Sequence, residues 1–169
     1  MSITEKLNPV YSISGSTDPA VWGTVPTGTV EVVAGSTGYR LPTEAQWEYA
    51  ARGGNGSPGN YTYSGSDTVG NVAWYSSNSG SRTHEVGKKA PNGLGLYDMT
   101  GNVWEWCWDW YGSYSSGAQT DPVGAVSGSD RVERGGSWYD SAEGTRSTYR
   151  YGNGPSHRSG YVGFRLVCP

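Results

Sequence analysis

The tightest constraint on the fold comes from four tryptophans that alternate with other residues between positions 104 and 110. Side chains of a β-strand point to opposite faces in turn, so this period of two predicts a strand with one face of indole rings. Shorter runs bounded by turn residues predict further strands. The predicted strands are Val10–Ile13, Thr29–Val33, Trp104–Trp110, Arg131–Trp138 and Val162–Cys168, with Val72–Tyr75 as a short strand or an ordered loop.

One segment has the marks of a helix. Thr43 and Gln46 form a capping box, Pro42 precedes them, and Gly53 and Gly54 end the element. Glycine makes up 27 of the 169 residues, and glycine-rich sequence favours turns over regular elements. The chain has no internal repeat or linker and its length fits one domain, so a single domain over residues 1–169 is expected.

Charge and hydropathy argue against two classes of partner. The net charge is −3 and the 12 Lys and Arg residues are scattered, whereas a nucleic-acid surface needs a concentrated basic face. No apolar run is long enough to span a membrane, and residues 1–6 lack the apolar core of a signal peptide. We therefore expect no nucleic-acid partner and no membrane span. Cys107 and Cys168 could form one disulfide or remain two thiols, and the sequence leaves both open.

Four sequence blocks carry a family resemblance: Gly38–Gly54, Asn92–Trp106, Arg134–Trp138 and Gly163–Leu166. In their residues, order and spacing they resemble the formylglycine-generating-enzyme, or sulfatase-modifying-factor, family from about residue 8 to the end. The resemblance implies an α+β fold, a variant of the C-type lectin fold with small twisted antiparallel sheets, few helices and much irregular structure. The family usually has a strand and a helix before the part that matches residues 7–13, so we expect a shortened domain or one that another chain completes.

The same resemblance bears on catalysis. Active members place two cysteines, five residues apart, after the Gly-Gly-Ser-aromatic motif, and those cysteines bind copper. The matching positions here are Asp140 and Thr145, whose hard oxygen atoms cannot replace a soft thiolate pair. We therefore expect no copper and no formylglycine-generating activity. An iron-dependent sulfoxide-synthase relative is the alternative enzyme, but His84 and His157 are isolated rather than clustered.

The resemblance also implies a calcium site. In the family, calcium is held by side chains at the positions of Asp98 and Glu105 and by backbone carbonyls at those of Gly101 and Val103. Calcium prefers six to eight oxygen ligands, so two carboxylates and two carbonyls from one loop suit it. The alternative is that both acids cap turns or pair with arginines. The arginines at family framework positions, expected to pair with carboxylates and carbonyls, are Arg134, Arg146, Arg150, Arg158 and Arg165.

The segment 139–161 has a composition unlike the rest of the chain. Its 23 residues include 4 Tyr, 4 Ser and 4 Gly, and they include no Lys, Val, Ile or Leu. Tyrosine supplies contact area at low entropic cost, and Ser, Gly and Asn supply adaptable hydrogen bonds, as in antibody paratopes. The alternative is an ordinary solvated loop. A binding segment predicts exposed tyrosines on one face and buried Trp138 and Phe164 at its two ends.

The segment further resembles the variable region of proteins diversified by a retroelement that mutates adenines. Such mutation converts Asn-type codons into Tyr, Ser, Asp, Gly, His or Thr, whereas Glu143 lies outside that set and would be fixed. The candidate ligand-binding residues, all drawn from the accessible set, are Tyr139, Asp140, Ser141, Gly144, Tyr149, Tyr151, Gly152, Asn153, Gly154, Ser156, His157, Ser159, Gly160 and Tyr161.

The favoured hypothesis is therefore a non-catalytic protein that presents a diversifiable binding surface on a lectin-type scaffold. Its ligand would be a protein or another surface ligand, and a cell surface, a secreted location or a phage particle would suit it. Two alternatives stay open at this point. One is an enzyme of the same family, and the other is a structural or interaction module with a fixed loop.

Overall fold

The structure, a computed structural model, describes residues 5–22, 28–56 and 60–168. The chain divides into two compact units, of which the first comprises the described residues of Met1–Leu41 and Leu166–Pro169. In this unit β1 (Tyr11–Ile13) pairs antiparallel with β2 (Val30–Val32), which confirms the first two predicted strands within a residue or two.

The second unit, Pro42–Arg165, contains the predicted helix and the main sheet. Helix α1 (Glu44–Ala51) begins after Thr43, whose hydroxyl accepts a hydrogen bond from the Gln46 backbone, and the reciprocal bond completes the predicted capping box. A second, one-turn helix, α2 (Val69–Val72), ends at the first residue of the predicted short strand or loop Val72–Tyr75, in which Trp74 forms an isolated bridge with Gly101.

Four strands make up the main sheet in the order β5–β4–β3–β6. The strands are β3 (Trp104–Trp110), β4 (Arg131–Arg134), β5 (Arg150–Asn153) and β6 (Val162–Gly163). The small sheets and few helices confirm the predicted α+β class. One part of the prediction was wrong, because β6 runs parallel to β3 and the sheet is therefore mixed.

The strand predictions also need correction at their ends. Of the predicted strand Val162–Cys168 only the first two residues form a strand, and Val167 forms an isolated bridge with Arg40. Of Arg131–Trp138 only the first four residues form a strand, because two glycines follow Arg134 and turn the chain. Conversely, β5 lies inside the segment 139–161, where no strand was predicted.

The alternating tryptophans do form one face of β3, as predicted, but the other face carries the core. Glu105, Cys107 and Asp109 are buried, whereas Trp106 and Trp108 are only half-buried. The core cluster under this face consists of Trp47, Ala51, Met99, Cys107 and Val132.

Both cysteines are free thiols, one buried and one exposed, so no disulfide joins them. Among the described residues, no helix has the length and apolar character needed to cross a membrane.

Candidate ligand-binding groove

An open groove of about 300 Å³ lies on the indole-bearing face of the main sheet. Its aromatic lining consists of Trp104, Tyr139, Tyr149, Tyr151 and Tyr161. Its polar lining consists of Glu133, Ser137, Asp140 and Asn153.

Strand alternation explains how these side chains meet. Glu133 on β4 lies opposite Trp106 on β3 and opposite Tyr151 on β5, so all three project from one face of the sheet. Asn153 follows Tyr151 by two residues and shares that face. The segment 139–161 therefore reaches the groove partly as a regular strand, which fixes its side-chain directions.

Three of the four groove tyrosines are exposed, and all four contact one another or the sheet. The exposed fractions are 70% for Tyr139, 40% for Tyr149 and 50% for Tyr151, so each presents a large free surface. The rings of Tyr149 and Tyr151 lie 6.1 and 5.8 Å from the ring of buried Trp104. Tyr139 stacks on half-buried Tyr161 at 6.4 Å. These distances are typical of favourable aromatic pairs, which hold the rings around the opening.

Two carboxylates line the groove beside these rings. Glu133 is fully buried, and its Oε2 accepts a hydrogen bond of 2.8 Å from the side-chain amide of Asn153. Its Oε1 is buried and finds no hydrogen-bond partner among the described residues. Burial raises the pKa of Glu133, and the Asn153 hydrogen bond offsets this in part. Asp140 accepts hydrogen bonds from the backbone N–H and hydroxyl of Ser137, at 3.0 and 2.5 Å.

The opposite face of the same strands is held by buried ion pairs. Arg134 is fully buried and contacts Glu44 at 3.3 Å and Glu48 at 2.6 Å, both on α1. Arg150 on β5 donates two hydrogen bonds to the Glu44 carboxylate, at 2.8 and 2.6 Å. Arg134 also donates to the backbone carbonyl of Ser147. Arg134 and Arg150 thus connect both ends of the stretch 147–150 to the helix, the first through the Ser147 carbonyl and the second directly.

The Gly135-Gly136 pair lets the chain after β4 pass close to residues 144 and 145 of the segment 139–161. Both glycines have positive φ, 94° and 71°, a conformation that other residues adopt only with strain. A Cβ atom on Gly136 would lie 2.6 Å from the carbonyl oxygen of Gly144 and 2.9 Å from Cα of Thr145. Only glycine lets these backbones approach so closely, which accounts for the Gly-Gly-Ser-Trp motif.

Six of the fourteen candidate ligand-binding residues line the groove: Tyr139, Asp140, Tyr149, Tyr151, Asn153 and Tyr161. Gly144 is buried, and Gly152 faces the ring of Tyr111. The remaining candidates are half-buried or exposed outside the groove lining: Ser141, Gly154, Ser156, His157, Ser159 and Gly160.

Sequence reasoning missed three lining residues, Trp104, Glu133 and Ser137, because it confined the site to one segment. The alternation within Arg131–Arg134 was the available signal, since Glu133 shares its face with the indoles. The predicted burial of the two flanking aromatics was wrong. Trp138 is half-buried, with its indole N–H donating to the Gly160 carbonyl, and Phe164, which follows β6, is 65% exposed.

The positions that match the family's catalytic cysteines hold no free nucleophile or soft ligand. Thr145 is fully buried, and its hydroxyl donates to the Ala142 carbonyl at 2.9 Å. Asp140 is engaged by the backbone and hydroxyl of Ser137. Both oxygen groups therefore serve local turns of the groove segment.

The two predicted calcium-binding carboxylates, Asp98 and Glu105, lie in different environments. Asp98 accepts from the Gly87 backbone N–H at 2.7 Å through Oδ2, while its Oδ1 is buried without a partner in the described part of the chain. Glu105 accepts from Trp47 at 2.7 Å and pairs with Arg165 at 2.5 and 2.6 Å. Asp98 thus offers an oxygen suited to a cation, whereas the charge of Glu105 is already matched.

The two predicted backbone ligands, Gly101 and Val103, lie in the loop just before β3. Gly101 donates its N–H to the carbonyl of Gly135, and Val103 is half-buried beside Gly163. Within the described residues, no group of three or more His, Cys, Asp and Glu side chains could hold a metal. A calcium ion here would therefore depend on the carbonyls of Gly101 and Val103 as well as on side chains.

The fold and its motifs define an α+β domain of the formylglycine-generating-enzyme type, and comparisons with known proteins agree. The family model described as a sulfatase-modifying factor enzyme 1-like domain matches residues 8–169. The chain is 40% identical to the formylglycine-generating enzyme of Streptomyces coelicolor, over 77% of this chain and 46% of that protein. It is 37% identical to the chaperone protein LppX of Paenibacillus barcinonensis, over 88% of this chain and 56% of that protein.

Among solved structures, Treponema denticola variable protein 1 superposes with a TM-score of 0.86 and 41% identity, over 99% of this chain and 64% of that one. The chain therefore belongs to the sulfatase-modifying factor family. It spans about half the length of the curated relatives it matches.

Proposed function

We propose that this protein is a non-catalytic ligand-binding protein that displays a diversifiable surface, built from residues 139–161, at the groove. The observation that carries the proposal is the set of exposed tyrosines around a groove whose backbone is tied down by buried ion pairs on the opposite face. Exposed aromatic anchors on a rigid support are the arrangement that binding surfaces use. Such a surface would act from a cell surface, a secreted form or a phage particle.

A random peptide library tests the binding role and does not require an identified ligand. The library is panned against the native chain and, as a matched control, against the variant Tyr139→Ala/Tyr149→Ala/Tyr151→Ala. Binders should be recovered on the native chain and lost on the variant, since aromatic anchors typically contribute about 2 kcal/mol or more each. Binders that ignore the three substitutions would place recognition elsewhere and contradict the proposal.

Diversification is supported by the similarity to a protein named for its variability and by the accessible residue types within 139–161. The test is the DNA downstream of the gene, which should hold a near-copy of codons 131–168 and a reverse-transcriptase gene. Position 152 should vary little among diversified copies, since a Cβ there would lie 2.8 Å from the Tyr111 ring. Absence of both the near-copy and the reverse transcriptase would remove diversification from the proposal.

The non-catalytic part of the proposal rests on Asp140 and Thr145, which supply oxygen where a thiolate pair binds copper. The protein is incubated with copper and a peptide carrying the sulfatase motif, beside an active formylglycine-generating enzyme as positive control. We expect the peptide mass to change only with the control enzyme. Conversion of the peptide cysteine by this protein would establish the enzymatic alternative instead.

Calcium forms a separate part of the proposal. We propose that Asp98, Glu105 and the carbonyls of Gly101 and Val103 hold one calcium ion. The support is the unpartnered, buried Oδ1 of Asp98, which a cation would satisfy. Calcium would brace the loop before β3 and would take no part in ligand chemistry. No copper is expected.

A further inference from the structure

The charged side chains that line the groove are all acidic. Its lining includes the carboxylates of Glu133 and Asp140, and no Lys or Arg from the described residues lines it. Glu133 is fully buried, and one of its oxygens has no partner within the part of the chain that the structure describes. A buried charge without a countercharge is costly, so natural proteins rarely keep one unless it meets a partner.

We propose that the groove binds a cationic side chain of a protein partner, the primary ammonium of a lysine or the guanidinium of an arginine. The inference rests on the proposed binding function and names the chemistry that the site selects. The cation would sit among the rings and direct its N–H groups to the free Oε1 of Glu133.

The donor and acceptor inventory favours a cation over other groups. An ionised carboxylate only accepts hydrogen bonds, and ammonium and guanidinium groups only donate them. A charge-assisted bond of this kind is roughly twice as strong as a neutral one. A carboxylate or phosphate ligand would face two like charges, and a hydroxyl would satisfy one oxygen without compensating the charge.

The rings add a second attraction to the same ligand class. Trp104 contacts Tyr149 and Tyr151, and Tyr139 stacks on Tyr161, so aromatic faces and edges surround the carboxylates. A cation within about 6 Å of such a ring is attracted by its quadrupole. Elsewhere the chain already uses this contact, because the Arg131 guanidinium lies 3.6 Å from the Trp110 ring.

Three groups face Glu133 and set its charge. The amide of Asn153 and the charge of His157 favour the ionised form, while Asp140 opposes it. Burial is the largest influence and raises the pKa of Glu133. Affinity for a cation should therefore fall on acidification, and it should begin to fall at a higher pH than for an ordinary glutamate.

The test uses four acetylated and amidated peptides, Gly-Gly-Xaa-Gly-Gly, in which Xaa is Lys, Arg, norleucine or Glu. Each is titrated into the full chain while backbone amide signals of the groove residues are followed by NMR. We expect the Lys and Arg peptides to bind at least about tenfold more tightly than the norleucine peptide, and the Glu peptide to bind least. A fifth titration with n-butylammonium should give weaker binding than the Lys peptide.

The matched variant is Glu133→Gln, which keeps the shape and the bond to Asn153 but removes the charge. It should abolish the preference for Lys and Arg over norleucine. If this variant does not fold, Asp140→Asn carries the test and should reduce the preference. Arg146→Ala, an exposed change outside the groove lining, should leave it intact.

Several outcomes would overturn the inference. Equal binding of the Lys and norleucine peptides would leave a tyrosine groove without cation selectivity, and the proposed function would survive if panning still gave tyrosine-dependent binders. No groove shift with any peptide would also count against the inference. Equal affinity for n-butylammonium and the Lys peptide would assign the site to free amines instead of a protein side chain.

Discussion

Glu133 and Arg134 are neighbours on β4 and are both fully buried, yet the fold treats their charges in opposite ways. Arg134 points to the core face, where Glu44 and Glu48 of α1 take up both of its terminal nitrogens. Glu133 points to the groove face, where one oxygen has a single amide partner and the other has none among the described residues.

This difference in charge pairing indicates that the two faces of β4 have different roles. On the core face, charges are matched within the chain and hold β4 and β5 to the helix. On the groove face, the Glu133 carboxylate has no countercharge among the described residues that line the groove, and three tyrosine rings are exposed. Under the proposed function, the same strand is scaffold on one side and binding site on the other, and substitutions on each face can test that separation.

The largest expected effect is on the core face. Arg134→Ala would leave Glu44 and Glu48 short of a buried countercharge, so the free energy of unfolding should fall by about 3–5 kcal/mol. Urea denaturation of both proteins measures the change. The exposed Arg146→Ala variant is the control and should stay within about 0.5 kcal/mol of the native chain. Equal losses for the two variants would show that the Arg134 ion pairs do not hold the scaffold.

Calcium should have the next largest effect. An ion that binds only the folded chain stabilises it by about 2.7 kcal/mol at a hundredfold excess over its dissociation constant. The melting temperature should therefore rise with millimolar calcium and fall with a chelator, and Asp98→Asn should abolish the response. A melting temperature that neither treatment moves would argue against the site.

A smaller effect, dependent on pH, is expected on the groove face. Because burial raises the pKa of Glu133 in the folded chain, the folded state holds its proton more readily than the unfolded state. Stability from this group is present below the ordinary glutamate pKa and is lost as the pH rises through the folded value. Glu133→Gln should thus be more stable than the native chain at pH 7, and this gain should be smaller at pH 4. A gain that does not depend on pH would contradict the assignment of an uncompensated charge.

The sequence predicted the local elements whose signals are short-range. The capping box at Thr43 and Gln46 marked the start of α1, and the tryptophan alternation marked β3 over its full length. The arginine prediction also held for Arg134, Arg150 and Arg165, which pair with carboxylates. The capping box and the alternation depend on neighbours within one turn or one strand, whereas the arginine pairing was expected from the family resemblance.

What the sequence could not supply depends on pairing between distant segments. The parallel pairing of β6 with β3 has no signature in either strand alone. The face of β3 that carries Glu105 is buried because α1 packs against it. The alternation of tryptophans does not predict which of the two faces is buried. Glu133 joined the groove only because β5 pairs beside β4, although the two are more than a dozen residues apart.

The smallest expected change tests the separation of site and scaffold most directly. In the variant Tyr139→Ala/Tyr149→Ala/Tyr151→Ala, exposed rings are removed while the ion pairs of the opposite face stay intact. Each substitution should cost no more than about 0.5 kcal/mol, so the free energy of unfolding should stay near that of the native chain. The measurement is urea denaturation beside Arg134→Ala. If the tyrosine variant unfolds as readily as Arg134→Ala, the rings are part of the scaffold and the groove is not a separable binding surface.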